Sequence, residues 1–213
     1  MEYIRHVEEY ANYWYGDFSK LVSANLWGNK QQATEYLKKY WLTEEEYQRV
    51  WKPIQDKIFI QERGLPDLLF TNKFEMLALR GGCLFIKEDF EQLQKVIQKI
   101  GETHFVIIQN TQDFTDGEPM FRMKFPVNIT WEELISGNYI SAVLLEMSYN
   151  EYFVYSESDK WGKYTANDYE YPMDIIGFKP EVAPIFKEQF KQSKEEQKEI
   201  RKWLPPEYKK LIK

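Results

Sequence analysis

Few side chains in this 213-residue chain have the chemistry for proton transfer, nucleophilic attack or metal binding at neutral pH. The two histidines are His6 and His104, and the single cysteine is Cys83. His6 lies beside the apolar stripe of a predicted helix and His104 just before a predicted strand, which favours surface positions over catalysis. Cys83 opens an apolar run after two glycines, which favours a small buried side chain over a nucleophile. The two distant histidines do not make a metal-binding motif.

Sequence motifs for phosphate binding and for hydrolysis are missing. Arg80-Gly81-Gly82 lacks the GxxxxGK[ST] spacing and precedes a predicted strand instead of a helix. Neither a GxSxG elbow nor a dinucleotide fingerprint occurs. The 34 acids leave paired carboxylates open, because such a pair has meaning only when its separation in a cleft is known. We therefore expect no enzyme activity and no cofactor. The alternative is a small carboxylate-dependent enzyme, or a sugar-handling protein that uses exposed Trp and Tyr.

Two acidic segments remain as candidates for binding. The loop with Asp113, Asp116 and Glu118 lacks the spacing of a calcium site, which favours a solvated loop. The second segment is SESDKWGKYTANDYEYPMD, residues 156–174, where one Trp and three Tyr stand among five acids. Aromatic residues with flanking acids are typical of protein interfaces. Because aromatics alternate to both sides of the preceding strand, either both sheet faces are covered or one is exposed for a partner.

These segments supply the predicted partner-binding residues, which are Asp113, Asp116, Glu118, Glu157, Asp159, Trp161, Tyr164, Asp168 and Glu170. Glu157 and Asp159 are placed at a strand-to-strand turn, where side chains project freely. Trp161 is the expected anchor, because a desolvated Trp often carries about 2 kcal/mol or more of binding energy.

The distribution of charge indicates the kind of partner. The net charge is −6, with −9 over residues 53–178 and +4 over residues 179–213. A region this acidic repels phosphates, so we expect a basic protein as the partner and no nucleic acid. Acidic surfaces also keep proteins soluble without any partner, and that reading stays open.

The chain shows no sign of a membrane or secretory destination. No segment approaches the ~20 apolar residues of a membrane span, and MEYIRHVEEY does not resemble a signal peptide. A single cysteine excludes an internal disulfide. We expect a cytoplasmic protein with no membrane partner, and a secreted protein without its leader is the alternative.

The hydrophobic pattern predicts an α+β fold, with a mostly antiparallel sheet, N-terminal helices and a long polar C-terminal helix packed around it. We expect one domain over residues 1–213, with a helical part (1–62), a sheet-containing part (68–178) and a C-terminal helical part (179–213). Thr43 and Glu46 form a predicted capping box, and Pro53 is expected to kink or divide the helix that they open.

Short apolar segments with short connections predict that the sheet is an antiparallel meander. FEMLAL and CLFI are predicted to form a hairpin around residues 80–82, and Asp89 to cap a helix that ends at Gly101. Thr130 is predicted to cap a short helix. The further predicted strands are HFVIIQ, MFRMKFPV, AVLLEMS, EYFVYS and WGKYTAND. PIFKEQFKQSKEEQKEIRKWL predicts the long polar helix.

Residues 151–178, EYFVYSESDKWGKYTANDYEYPMDIIGF, resemble small bacterial proteins of the immunity type, which are encoded beside polymorphic toxins. The likeness lies in the order of an aromatic strand, a short acidic turn, a WGKY segment and NDYEYP before an apolar II-G-F. The resemblance implies a cytoplasmic, non-enzymatic inhibitor that neutralises a toxin by direct binding. Many such toxins are nucleases with basic clefts, for which an acidic surface imitates nucleic acid and speeds association.

Overall fold

The computed structural model describes residues 35–36, 38–71, 73–81, 84–110, 121–136, 151–166 and 173–212, and its elements confirm the α+β class. The strands are β1 (Glu75–Arg80), β2 (His104–Gln109), β3 (Arg122–Pro126), β4 (Tyr152–Ser156), β5 (Trp161–Thr165) and β6 (Met173–Phe178). The helices are α1 (Glu44–Glu46), α2 (Lys52–Ile58), α3 (Lys87–Ile100), α4 (Trp131–Leu134), α5 (Ala183–Gln189), α6 (Lys194–Trp203) and α7 (Pro206–Leu211). A π-helical turn, Tyr47–Trp51, joins α1 to α2, and residues 35–36 and 38–40 are also helical.

The six strands form one sheet in the order β1-β6-β5-β4-β2-β3, and all neighbouring strands are antiparallel. β4 and β5 pair as predicted for EYFVYS and WGKYTAND, and β6, which was not predicted, continues this antiparallel meander. The predicted strand AVLLEMS lies outside the described residues. The predicted hairpin is wrong, because β1 pairs with β6 and Leu84–Ile86 form no strand. Leu84 and Phe85 are instead buried as the chain enters α3.

Both faces of the sheet are covered. On the face that we call the α3 face, Ile107, Val154 and Trp161 belong to one buried cluster with the apolar stripe of α3. On the opposite α2 face, Tyr155 and Tyr164 belong to a second cluster with residues from the π-helical turn, α2 and α7. Alternation along each strand sends successive side chains into the two clusters. The aromatic residues of the 152–165 region are therefore core residues on both sides.

A pair of glycines on the α2 face lets the chain after α2 approach the sheet closely. Gly162 of β5 lies opposite Gly177 of β6, and the rings of Phe59 and Phe70 pack against this pair. The two ring centroids are 5.0 Å apart. A Cβ atom at Gly162 would lie 2.5 Å from Cζ of Phe59, so only glycine leaves room for the ring.

Hydrogen bonds at the helix ends confirm two predicted caps. Thr43 Oγ1 accepts from Glu46 N at 3.2 Å, and Thr130 Oγ1 accepts from Glu133 N at 3.1 Å. The Glu46 carboxylate accepts from Lys124 and Trp51 instead of closing the capping box. The helix is not divided at Pro53, because it runs without a break from Glu44 to Ile58; the π-helical turn ends just before Pro53, which lies in the first turn of α2.

Gly101 ends α3 in the left-handed conformation, with φ of 88°, as predicted. The helix begins earlier than predicted, with Ile86 as its N-cap residue, so Asp89 lies in the first turn and is not the cap.

The predicted long C-terminal helix is two helices, α5 and α6, and α7 follows after Pro205. Ser193 and Glu196 form a complete capping box that starts α6 anew, and the buried Phe190 lies between α5 and α6. Phe190 packs in the cluster of the α3 face, whereas Leu204, after α6, packs in that of the α2 face. The segment therefore crosses beside β1, where Gln192 Nε2 donates to the carbonyl of Ala78 at 2.6 Å. This crossing covers part of the sheet edge.

The close approach at the glycine pair predicts a steric cost for a methyl group. Gly162→Ala should lower the free energy of unfolding by about 1–3 kcal/mol, because the new Cβ meets the Phe59 ring. Urea unfolding measures the change. Phe59→Leu in the same chain should relieve part of the cost, giving a non-additive double-mutant cycle. Simple additivity of the two changes would contradict a clash between these side chains.

Candidate partner-binding site

The structure places the two predicted aromatic site residues in the core. Trp161 and Tyr164 each have 0% relative exposure. The Trp161 ring packs against Phe186 of α5, with centroids 6.1 Å apart, and the Tyr164 hydroxyl donates to Glu151. The expectation that Trp161 anchors a partner is corrected, because neither ring has surface to offer in this fold.

The two described acids of the predicted turn are held by partners within the chain. Glu157 accepts from the backbone N–H of Thr103 at 2.9 Å and also bonds the Thr103 hydroxyl and Nδ1 of His104. Asp159 pairs with Lys179 at 2.6 Å. These carboxylates join the β4–β5 turn to the segments before β2 and after β6. They do not project freely, which corrects the expectation for this turn.

The other predicted candidates lie outside the described residues. They are Asp113, Asp116, Glu118, Asp168 and Glu170, together with His6 and Cys83. His104 opens β2, as predicted for a strand-edge residue, and contacts Glu157 at 3.0 Å.

A concave acidic surface occurs elsewhere, between the C-terminal end of β1, the start of α3 and one side of α6. We call it the α6 cleft. It consists of two hollows of about 410 and 450 Å³ that share Leu79, Arg80, Glu199 and Ile200. Trp203 lines the first and Ile86 the second. The two residues are 56% and 47% exposed, respectively.

α6 divides its charges between two sides. Glu195, Glu196 and Glu199 line the α6 cleft, whereas Lys194, Lys198 and Arg201 line a smaller hollow on the other side. The helix has no fully buried residue, and within it only Ile200 is partly buried. α6 is thus held through its flanking segments, and its acidic side remains open to solvent.

The base of the cleft adds one acid and two cations. Asp89 of α3 lines the second hollow, together with Arg80 and Lys191. Burial raises the pKa of Asp89, against the lowering effect of the Lys163 ammonium. With the three glutamates of α6, the second hollow is lined by four acids and two bases, and of these acids Glu199 pairs with Lys202 and Glu196 accepts from the Ser193 N–H. A basic, partly apolar segment of another protein would be complementary to this lining.

A buried polar cluster lies on the α3 face near Asp89. Lys163 of β5 pairs with Asp174 of β6 at 2.6 Å, and both side chains are almost completely buried. Burial raises the pKa of Asp174 even beside the ammonium group. Asp174 Oδ1 has no hydrogen-bond partner within the part of the chain that the structure describes.

Among the described residues, no three His, Cys, Asp or Glu side chains come together in a group able to hold a metal ion. In the same part of the chain, none of the helices has the length and apolar content for crossing a membrane.

Sequence reasoning missed the α6 cleft, although two signals pointed to it. The S-K-E-E pattern at Ser193 is a capping box that predicts a separate helix. Within that helix, acids at positions 195, 196 and 199 and bases at 194, 198 and 201 fall on different sides at helical spacing. The Lys163–Asp174 pair had no local signal, because its members are eleven residues apart and meet only through strand pairing.

The contrasting environments of two tryptophans give a direct test of these positions. Trp161→Ala should lower the free energy of unfolding by about 3–5 kcal/mol, because it leaves a large cavity in the core. Trp203→Ala should change it by less than about 0.5 kcal/mol, since the ring is mostly exposed. Urea denaturation of both variants measures the difference. Equal losses would contradict the assignment of Trp161 to the core and of Trp203 to the surface.

The hydrogen bonds to Glu157 predict a dependence of stability on pH. Burial raises the pKa of Glu157, but the hydrogen bonds from Thr103 and His104 outweigh it, so the folded pKa is lowered. The ionised group therefore stabilises the fold above its unfolded pKa of about 4.5, and this contribution disappears as pH falls through the lower folded value. Glu157→Gln should be less stable than the wild type at pH 7 and approach it towards pH ~3. A stability difference that stays constant across this range would contradict the argument.

Comparison of the chain with protein-family models, with curated proteins and with solved structures found no match in any of the three.

Proposed function

We propose that this chain is a non-enzymatic protein-binding module of the immunity type, which neutralises a cognate toxin in the cytoplasm by direct contact through the α6 cleft. The resemblance of residues 151–178 to immunity-type proteins motivates the class of function. The α6 cleft supplies the acidic and aromatic surface that this function requires. It replaces the surface predicted around residues 157–164.

The exposure of Trp203 beside acids in a concave surface carries the proposal. Trp is strongly enriched among the residues that dominate binding energy in protein interfaces. Trp203 lines the cleft from α6, which also carries Glu195 and Glu199, and Ile86 lines it from the segment before α3. Apolar anchors rimmed by charged residues are the usual anatomy of such an interface.

The charge arrangement of α6 favours a basic partner in one orientation. The acids of α6 line the cleft, whereas Lys198 and Arg201 belong to the opposite side. A basic surface is attracted to the first side and repelled by the second. This field speeds the encounter and excludes docking on the wrong side of the helix. The basic active clefts of nuclease toxins have the matching chemistry.

The proposal is tested with a toxin domain whose gene is found beside that of this protein, inactivated in its active site. The wild-type protein should bind this domain and protect growing cells from its active form. Trp203→Ala should weaken binding by about 2 kcal/mol, or roughly thirtyfold, mainly through faster dissociation. Glu195→Lys should slow association and weaken its dependence on salt. Surface plasmon resonance at several salt concentrations measures both rates.

Val50→Ala is the matched control. Val50 is an exposed apolar residue of the π-helical turn that lines neither hollow of the cleft, so binding should not change. An equal loss of binding affinity in the Trp203→Ala and Val50→Ala variants would place the interface elsewhere. Failure of the wild-type protein to bind or to protect would refute the proposed function.

The sugar-handling alternative uses the same tryptophan in another way. An exposed ring above a hollow lined by Arg80 and Glu199 has the composition of a carbohydrate site. Binding of oligosaccharides from a glycan array, abolished by Trp203→Ala, together with no binding to the toxin domain, would favour this alternative.

A further inference from the structure

Lys163 connects three segments from within the core. Its ammonium group lies 2.6 Å from Asp174 Oδ2 and 2.7 Å from Thr165 Oγ1, and it also donates to the backbone carbonyl of Leu84. It stands 4.7 Å from the centroid of the Phe85 ring. An ammonium group has three N–H donors, and these three acceptors match that number.

The stability of the fold does not by itself explain this arrangement. Removing two charges from water is costly, and apolar side chains of similar volume often replace a buried ion pair without loss of stability. An apolar pair at positions 163 and 174 would fill the space but would offer no donor to the Leu84 carbonyl. The bond to that carbonyl is therefore the specific contribution of the lysine.

The carbonyl belongs to the segment that builds one wall of the α6 cleft. Leu84–Ile86 have no regular secondary structure and lead directly into α3. Leu84 and Phe85 are each 1% exposed, whereas the next residue, Ile86, is 47% exposed and lines the cleft. Two buried side chains and one buried hydrogen bond thus hold the backbone immediately before an exposed apolar residue.

We infer that Lys163 is a positioning residue for partner binding, which holds the Leu84 carbonyl and thereby fixes Ile86 on the wall of the α6 cleft. The inference rests on the proposed function and adds the residue that sets the shape of the site. A wall held in its bound position spares the complex the entropy of ordering it, which strengthens affinity without adding a contact.

The test replaces the ion pair. It measures separately the hydrogen exchange of the cleft wall and the affinity for the partner. Lys163→Met/Asp174→Leu removes both charges together, so that no buried charge is left unpaired. Hydrogen exchange detected by mass spectrometry should become about tenfold faster in peptides covering residues 84–90 and stay unchanged in α6. Affinity for the inactive toxin domain should fall about tenfold. Thr165→Val is the control, because it removes one acceptor of Lys163 and leaves the Leu84 bond in place.

A double-mutant cycle separates positioning from a general loss of structure. Ile86→Ala should weaken binding in the wild-type background and have a clearly smaller effect in the paired variant, where the wall is already loose. Should the apolar pair fail to fold, Lys163→Gln/Asp174→Asn takes its place, because the shorter Gln side chain falls short of the Leu84 carbonyl.

Each outcome bears on one of the two claims. Unchanged exchange at residues 84–90, or faster exchange with unchanged affinity, would overturn the positioning role while the proposed function stands. Additive effects of Ile86→Ala and the paired variant would also overturn it. Absence of toxin binding by the wild-type protein would instead refute the proposed function, and faster exchange in the paired variant would still establish that Lys163 fixes the wall.

Discussion

Coverage of both faces of the central sheet is the constraint on which the rest of this structure depends. β4, β5 and β6 are buried along their whole length, so the chain must supply apolar elements on two sides. α3 and α5 serve one side, and α2, α7 and the Phe59–Phe70 contact serve the other. The C-terminal segment contributes to both, and to do so it passes the β1 edge as α6. The almost fully solvated α6 is thus a consequence of covering two faces with one chain.

The same constraint explains why the aromatic segment around Trp161 was misleading as a binding surface. Aromatics on both sides of a strand fit either a sheet covered twice or a sheet with one exposed face, and local sequence does not distinguish the two. The covering elements are far away in sequence, since Phe186 meets Trp161 and Phe59 meets Gly162. The acids of the turn are likewise held by residues distant in sequence, Asp159 by an ion pair with Lys179 and Glu157 by a hydrogen bond from the backbone N–H of Thr103.

What could be predicted from the sequence is what short-range rules determine. The strands from HFVIIQ to WGKYTAND that the structure describes, the Thr43 and Thr130 caps and the end of α3 at Gly101 follow from local patterns, and the α+β class follows from them. The order of the sheet, the loss of the β1 hairpin and the buried ion pair depend on long-range pairing. The acidic surface was missed for a different reason. A net charge of +4 over residues 179–213 sums the whole C-terminal part and therefore hides the acids on one side of α6, whereas a partner meets only that side.

Core and candidate site meet at the segment that leads into α3. Leu84 and Phe85 belong to the buried cluster of the α3 face, and Ile86 belongs to the α6 cleft. An exposed isoleucine normally gains by turning inward, but here the preceding residues are fixed by their own burial and by the hydrogen bond from Lys163. Burying an ion pair costs desolvation free energy, and we attribute the pair at this position to the rigid cleft wall that it supports. Apolar side chains often replace a buried ion pair without loss of stability, whereas only the lysine donates to the Leu84 carbonyl and so preorganises the proposed binding surface.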